Sequence, residues 1–278
     1  IPQNSFFRAA DGSIVPNSPL LKKYANLKMD YATVNGSGRI VVEGKPNDIV
    51  ILYTNDVHTY IDNPISYDVI AAVKEELKAQ YKNVLLVDAG DHSQGTVYGS
   101  MDFGETIIEL MNAAGYDVAT LGNHEFDWGE EAVKRNAEFA EFPFLAINIY
   151  DRTTNTLVDY CESSVVVEFD GVQVGIIGAI GDCYSSIAVD KTEGIYFKTG
   201  RDLTALVKAE SEKLRSEGVD FIVYCLHDGY GSSGSSASNP NSGQLASYYD
   251  ISLSDGYVDL VFEGHTHQQY LFKDQYGV

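Results

Sequence analysis

Long hydrophobic runs are missing from this sequence. Apolar stretches such as "IVILYT" and "FIVYCL" end after a handful of residues, so none is a membrane-spanning candidate. Positive charge is scarce as well: Lys and Arg number 19 against 40 Asp and Glu, a formal net charge of −21. Such a chain repels nucleic acid backbones and anionic membranes, which excludes nucleic acid polymers as partners. It would also repel phosphorylated small molecules unless bound cations reversed the sign locally. Cysteine is sparse. Cys161, Cys183 and Cys225 are an odd set without metal-type spacing, and they make no disulfide framework, so cysteine usage leaves the compartment open. Cys225 sits inside an apolar run and reads as a core residue. The opening "IPQNSFFRAADGS" lacks the basic start and apolar stretch of a signal peptide. A chain that begins at Ile1 rather than Met is expected to be a trimmed or processed product.

What is present is a regular alternation. Residues 1–48 are irregular, with Pro2, Pro16, Pro19 and Pro46 and a "NGSG" turn at 35–38, and read as an extension or a leading hairpin. From residue 49 the pattern changes. "IVILYTND" reads as a buried strand. "SYDVIAAVKEELKAQYK" reads as a helix capped by Ser66, with Val69, Val73, Leu77 and Tyr81 on one face. "NVLLVDAGD" is a strand, "GETIIELMNAAG" a helix closed by Gly115, and "DVATLGNHE", "FPFLAINIY", "VDFIVYCLHDG" and "VDLVFEGHTH" continue the series. "SSVVVEFDGVQVGIIGAI" predicts a hairpin turning at Asp170-Gly171. "DLTALVKAESEKLRSEG" predicts a helix, and "GSSGSSASNPNSG" at 231–243 a flexible loop. The alternation predicts an α/β protein with a largely buried sheet and one domain after residue 48.

All six histidines fall at or just beyond the ends of predicted strands: His58, His92, His124, His227, His265 and His267. In open α/β sheets ligands bind at the carboxyl ends of strands, so side chains distant in sequence converge there. Scattered surface histidines would fall on helices and loops too. Asp56 and His58 are two apart on an extended segment and face one side. Asp91 follows Gly90, Asn123 precedes His124, and His265 and His267 are again two apart. The set is carboxylate, imidazole and amide oxygen without a thiolate, which suits Zn²⁺, Mn²⁺, Fe or Co²⁺. It holds too many ligands for one tetrahedral ion; a pair sharing one carboxylate would use them all.

The blocks "DVH" 56–58, "GD" 90–91, "GNHE" 122–125, "HDG" 227–229 and "GHTH" 264–267 resemble, in order and strand context, those of the calcineurin-like metallophosphatases. "GNHEFDWG", with Asp127 three residues after His124, resembles the 5′-nucleotidase / UDP-sugar hydrolase branch. The resemblance covers about residues 49–278. It implies a four-layer α-β-β-α sandwich. It implies one metal held by Asp56, His58, Asp91 and His267, a second held by Asp91, Asn123, His227 and His265, and Asp91 as the bridge. His124, oriented by Asp127, would face the substrate phosphate rather than a metal. The implied activity is hydrolysis of nucleoside 5′-monophosphates or related nucleotides. The attacking group would be a metal-bound hydroxide, with the His124–Asp127 pair assisting. The family alternative is a 2′,3′-cyclic nucleotide phosphodiesterase or a UDP-sugar hydrolase. A non-catalytic metal-binding surface module is the alternative from another class. Its mark would be loss of His124, Asp127 or a bridging ligand, and none is lost. The implied location is extracellular, periplasmic or at the cell surface, with no membrane insertion and no oligomeric state implied.

Some positions depart from the family pattern. Thr59 stands where glycine is usual, which would narrow the approach to the first metal. His92 reads as a hydrogen-bonded or surface residue, Glu125 as a support of the turn or of the metal ligands rather than a base, and Phe126 and Trp128 as core packing. Gln94 and Thr96 are minor candidates for lining the pocket. The chain stops soon after His267. The last strands of the sheet and the C-terminal domain that selects the base are therefore expected to be absent. Residues 1–48 have no counterpart.

Overall fold

A computed structural model describes residues 6–8, 14–16, 33–34, 40–41, 47–229 and 257–267. The flexible loop expected at 231–243 and everything after His267 lie outside the described residues. So does the "NGSG" turn, although the short strands flanking it do pair. β1 (Phe6–Arg8) runs antiparallel to β2 (Ile14–Pro16), and β3 (Thr33–Val34) antiparallel to β4 (Ile40–Val41).

Two four-stranded sheets build the rest. The first consists of β5 (Ile49–Thr54), β6 (Asn83–Asp88), β7 (Val118–Thr120) and β8 (Phe144–Leu145), parallel and in that order. Two further short strands, β9 (Ile149–Asp151) and β12 (Ile195–Phe197), pair antiparallel outside the main sheets. The second sheet is β10 (Ser164–Phe169), β11 (Val172–Ile180), β13 (Phe221–His227) and β14 (Leu260–Glu263). Its first pair is the expected hairpin, with Asp170 at φ 48° and Gly171 at φ 88°, and the other pairs are parallel. Two adjacent positive φ values make the turn whose twist matches the flanking strands.

Period-two alternation sorts the side chains into layers. Leu85 and Val87 of β6 meet Val174 and Ile176 of β11 and Val223 and Cys225 of β13 between the sheets. Their neighbours face outward. Leu86 packs under α1 (Tyr67–Lys78) and α3 (Glu105–Ala114), the second and fourth helical segments being the short α2 (Val97–Ser100) and α4 (Glu130–Phe139). Ile222, Tyr224 and Leu226 pack under α5 (Gly200–Ser216) through Leu203, Val207 and Leu214. Helix, sheet, sheet, helix is the four-layer order that the sequence resemblance implied. β6 and β13 are covered on both faces, which is why they read as unbroken apolar runs. Each buried Leu or Ile contributes about 1.5–3 kcal/mol, so the sheet interface is the main store of stability near the site.

Three local expectations are corrected. The buried face of α1 is Tyr67, Ile70, Lys74 and Leu77, whereas Val69 is exposed. The face turned because the Lys74 ammonium is buried to reach Asp117 Oδ2 at 2.7 Å and the Gly115 carbonyl. Ser66 holds the N-cap position, but its hydroxyl bonds Asp68 rather than the helix backbone. β5 is half-buried rather than buried, because it is the outer strand of its sheet. Gly115 closes α3 at φ 74° as expected.

Candidate metal centre

The strands end in one place. Asp56 and His58 follow β5, Asp91 follows β6, Asn123 and His124 follow β7, His227 ends β13, and His265 and His267 follow β14. Cross-links fix the ends against one another. Asp56 N–H donates to Gly90 O and His58 N–H to Asp91 O, both at 3.0 Å. The His265 amide donates to the Asp56 carboxylate at 2.9 Å, joining residues 209 apart in sequence. Among the described residues nine non-glycine positions have positive φ, and five of them are candidate ligands: Asp56, His58, Asp91, His265 and His267. The left-handed region is costly for such residues and concentrates at functional sites.

The donor atoms crowd together, and several of them lack a hydrogen-bond partner. His227 Nδ1–H donates to Ala89 O at 2.6 Å, which leaves a lone pair on Nε2. That lone pair lies 3.0 Å from Asp91 Oδ2, and the alignment is not that of a hydrogen bond. His58 Nδ1–H likewise donates to Gln94 O at 2.8 Å, and its Nε2 lies 3.1 Å from His267 Nε2 and 3.7 Å from Asp91 Oδ2. His267 Nε2 is 3.4 Å from Asp56 Oδ1. Asn123 Oδ1, His227 Nε2 and His265 Nε2 are buried without a hydrogen-bond partner. Burying such atoms unpaired costs about 1–3 kcal/mol each. Lone pairs aimed at one another with backbone carbonyls fixing the far ring nitrogens are what a cation requires. Asp56, His58 and His267 form one cluster within bonding reach of a single ion, and Asp56, Asp91 and His227 form another. The residues present therefore fit divalent cations.

The electrostatics agree. Burial alone would raise Asp91, but the rings of His227, His124 and His58 hold its carboxyl well below the ordinary range. Burial would lower His227, yet the Asp91 and Asp56 carboxylates raise it to about 10. This cluster demands positive charge, which a proton or a metal ion supplies. His265, pushed down by burial and by His227 to about 4, keeps a neutral ring suited to coordination.

His124 is different. Its side chain is 36% exposed while His227 is 0% exposed. Nδ1 pairs with Asp127 Oδ2 at 3.0 Å, and that bond raises the imidazole above its ordinary value. Its backbone N–H donates to Asp91 Oδ1 at 2.9 Å, so the residue braces the centre while its ring faces outward.

Several supports were only partly visible in the sequence. Glu125 accepts from the Asp91, His92, Ser93 and Gly122 amides and from the Ser93 hydroxyl. It thus ties the β6 and β7 loops together. His92 is buried, with Nδ1 3.0 Å from Asp88 Oδ1. Phe126 is core, whereas Trp128 is half-buried against Phe103 at 5.8 Å. Thr59 does not narrow the approach. It is fully buried, and its hydroxyl accepts from Thr96 N–H and meets Thr96 Oγ1, both at 2.7 Å, which anchors the start of α2. Gln94 contributes through its carbonyl on His58. One residue was missed: Cys183, whose thiol clusters with His227 and His265. It follows the end of β11 in the turn Asp182–Ser186, where no histidine or ligand-type motif marks it.

Gly122 must lack a side chain. A Cβ there would lie 2.3 Å from Asp91 Oδ1 and 2.7 Å from Asp91 N. Gly122→Ala is expected to push Asp91 out of the centre and weaken metal binding by about 10- to 100-fold, the scale of a lost outer-shell support. Isothermal titration with Mn²⁺ reads this; unchanged affinity contradicts it.

The calcineurin-like phosphoesterase family matches residues 49–269. The chain belongs to that family. It is 28% identical to a probable 5′-nucleotidase of Treponema pallidum over 243 residues, 82% of this chain and 38% of that protein. It is 30% identical to a 5′-nucleotidase of Vibrio cholerae over 234 residues, 81% of this chain and 41% of that protein. Among solved structures, a putative 5′-nucleotidase from Staphylococcus aureus superposes with a TM-score of 0.67 at 22% identity, a likeness of fold. It covers 82% of this chain and 47% of that one. The chain spans less than half the length of these relatives. No described helix is long and apolar enough to cross a membrane.

Proposed function

We propose that residues 49–278 are the catalytic domain of a two-metal phosphoesterase that hydrolyses nucleoside 5′-monophosphates or related nucleotides. The single observation that carries this reading is the buried, unpartnered His227 Nε2 3.0 Å from Asp91 Oδ2, with the His265 ring beside that of His227 at 5.5 Å and its own Nε2 also buried without a partner. Asp56, His58, Asp91 and His267 would hold one divalent cation, and Asp91, Asn123, His227 and His265 the other. Bound there, the pair supplies Lewis acidity toward phosphoryl oxygens and acidifies the attacking water.

The remaining work falls to the chain's own side chains. Asp127 keeps a proton on His124 Nδ1 and favours the imidazolium. His124 Nε2–H then donates to a phosphoryl oxygen or passes its proton to the leaving oxygen. Asp91 and the surrounding imidazoles sit where water is largely excluded, which strengthens each charge interaction. The likeness to proteins described as 5′-nucleotidases supports a nucleotide as substrate. An extracellular, periplasmic or cell-surface location goes with this reading.

Elemental analysis after loading with Mn²⁺ or Zn²⁺ should give two ions per chain, the number a paired centre holds. One ion or none contradicts the paired centre. A panel of mononucleotides, 2′,3′-cyclic nucleotides and UDP-sugars should show phosphate release from mononucleotides. Turnover confined to the cyclic compounds or the UDP-sugars reassigns the substrate within the same chemistry.

A further inference from the structure

Cys183 lies in the short 3-10 turn Asp182–Ser186 that follows β11. Ile180 of β11 stands beside His227 of β13 in parallel register, so the turn wraps over the end of β13. Asp182 N–H donates to Asp228 Oδ2 at 2.9 Å and pins it there. The thiol is buried, at 3% exposure. Its sulfur, a ring nitrogen of His227 and a ring nitrogen of His265 all lie within 4.8 Å of one another. Both histidines carry a buried Nε2 without a hydrogen-bond partner. The thiol donates to the His227 carbonyl at 2.9 Å, but that carbonyl already accepts the Gly181 amide at 3.0 Å. Losing the S–H bond would therefore leave no orphaned acceptor.

We infer that Cys183 is a further donor to the metal held by His227 and His265, making that half of the centre a softer site that favours Zn²⁺ or Co²⁺ over Mn²⁺. This rests on the two-metal reading above. On coordination the S–H bond breaks, its proton leaves to solvent, and a sulfur lone pair binds the cation; no oxidation state changes. A thiolate discriminates among divalent ions in a way that oxygen donors do not. Among the described residues Cys183 alone of the three cysteines groups with histidines that could hold a metal, so a sulfur signal is assignable to it.

The test is the absorption spectrum of the full chain loaded with Co²⁺, alongside a cobalt count. A thiolate-to-cobalt charge-transfer band in the near ultraviolet is expected in the wild type and is expected to vanish in Cys183→Ser. Competition between Zn²⁺ and Mn²⁺ should shift toward Mn²⁺ by about tenfold in that variant. Two cobalt ions without the band overturn the thiol donor and leave the paired centre standing. A band with a single cobalt supports the thiol donor and overturns the pair. The wild-type spectrum decides by itself if the variant does not fold.

Discussion

His124→Ala is expected to abolish most turnover of an aryl phosphate while leaving both metals bound. The ring meets that of His58 edge-on at 5.2 Å, and its hydrogen bond goes to Asp127 rather than to a ligand. Its Nδ1 is taken by Asp127, and the side chain is partly exposed. What braces Asp91 is the backbone N–H of residue 124, which alanine retains. The variant should therefore fold and load normally, with kcat down by roughly 10²–10⁴-fold, the range for a lost general acid or electrostatic donor. Steady-state kinetics and a metal count on the same sample give the answer. Normal turnover removes His124 from the reaction. Loss of metal makes it a ligand and reverses the division of labour drawn between it and Asn123.

Glu125→Gln is expected to damage the opposite half: assembly of the centre rather than the reaction. Glu125 Oε2 accepts from Asp91 N–H at 2.9 Å and Gly122 N–H at 2.6 Å, while Oε1 accepts from His92 N–H at 2.9 Å and Ser93 N–H at 3.1 Å. Either orientation of a glutamine amide turns its NH₂ toward two backbone N–H groups. Burial would raise the Glu125 carboxyl, but His92 and the backbone donors keep it below its ordinary value, so the native group is a carboxylate. The substitution also removes the negative charge 3.8 Å from buried His92, which its acidic neighbours raise to about 9 against the effect of burial. Unsatisfied buried donors and an uncompensated charge together cost about 3 kcal/mol. That corresponds to a melting-temperature drop on the order of 5–10 °C. Asp91 and Asn123 lose their common anchor, so metal affinity should fall as well. Thermal unfolding and metal titration that both match wild type would show that the loops are held by something else. The contrast with His124→Ala is the useful part: one variant keeps metals and stability and loses turnover, the other loses all three.

The sequence determined the elements and the meeting point. Apolar runs marked β6 and β13, Asp170-Gly171 marked the hairpin, and Gly115 marked the end of α3, because each signal is local. The histidines at strand ends located the centre, because the carboxyl ends of parallel strands share one edge. Asp127 three residues after His124 announced their contact through helical geometry alone.

Tertiary structure decided which residue turns where. Val69 and Ile70 are equally apolar in sequence, and the buried reach of Lys74 to Asp117 chose Ile70 for the core. Thr59 looked like an obstruction, and the approach of Thr96 made it an anchor. Glu125 read as a support of the turn or of the ligands, and the proximity of the β6 loop shows that it holds two loops at once. Cys183 was unreadable because its partners, His227 and His265, come from other strands of the sheet. Periodicity and turn chemistry are properties of neighbours along the chain. Lone pairs left facing each other across 3.0 Å arise from register between strands far apart in sequence, and that register is fixed only when the two sheets pack.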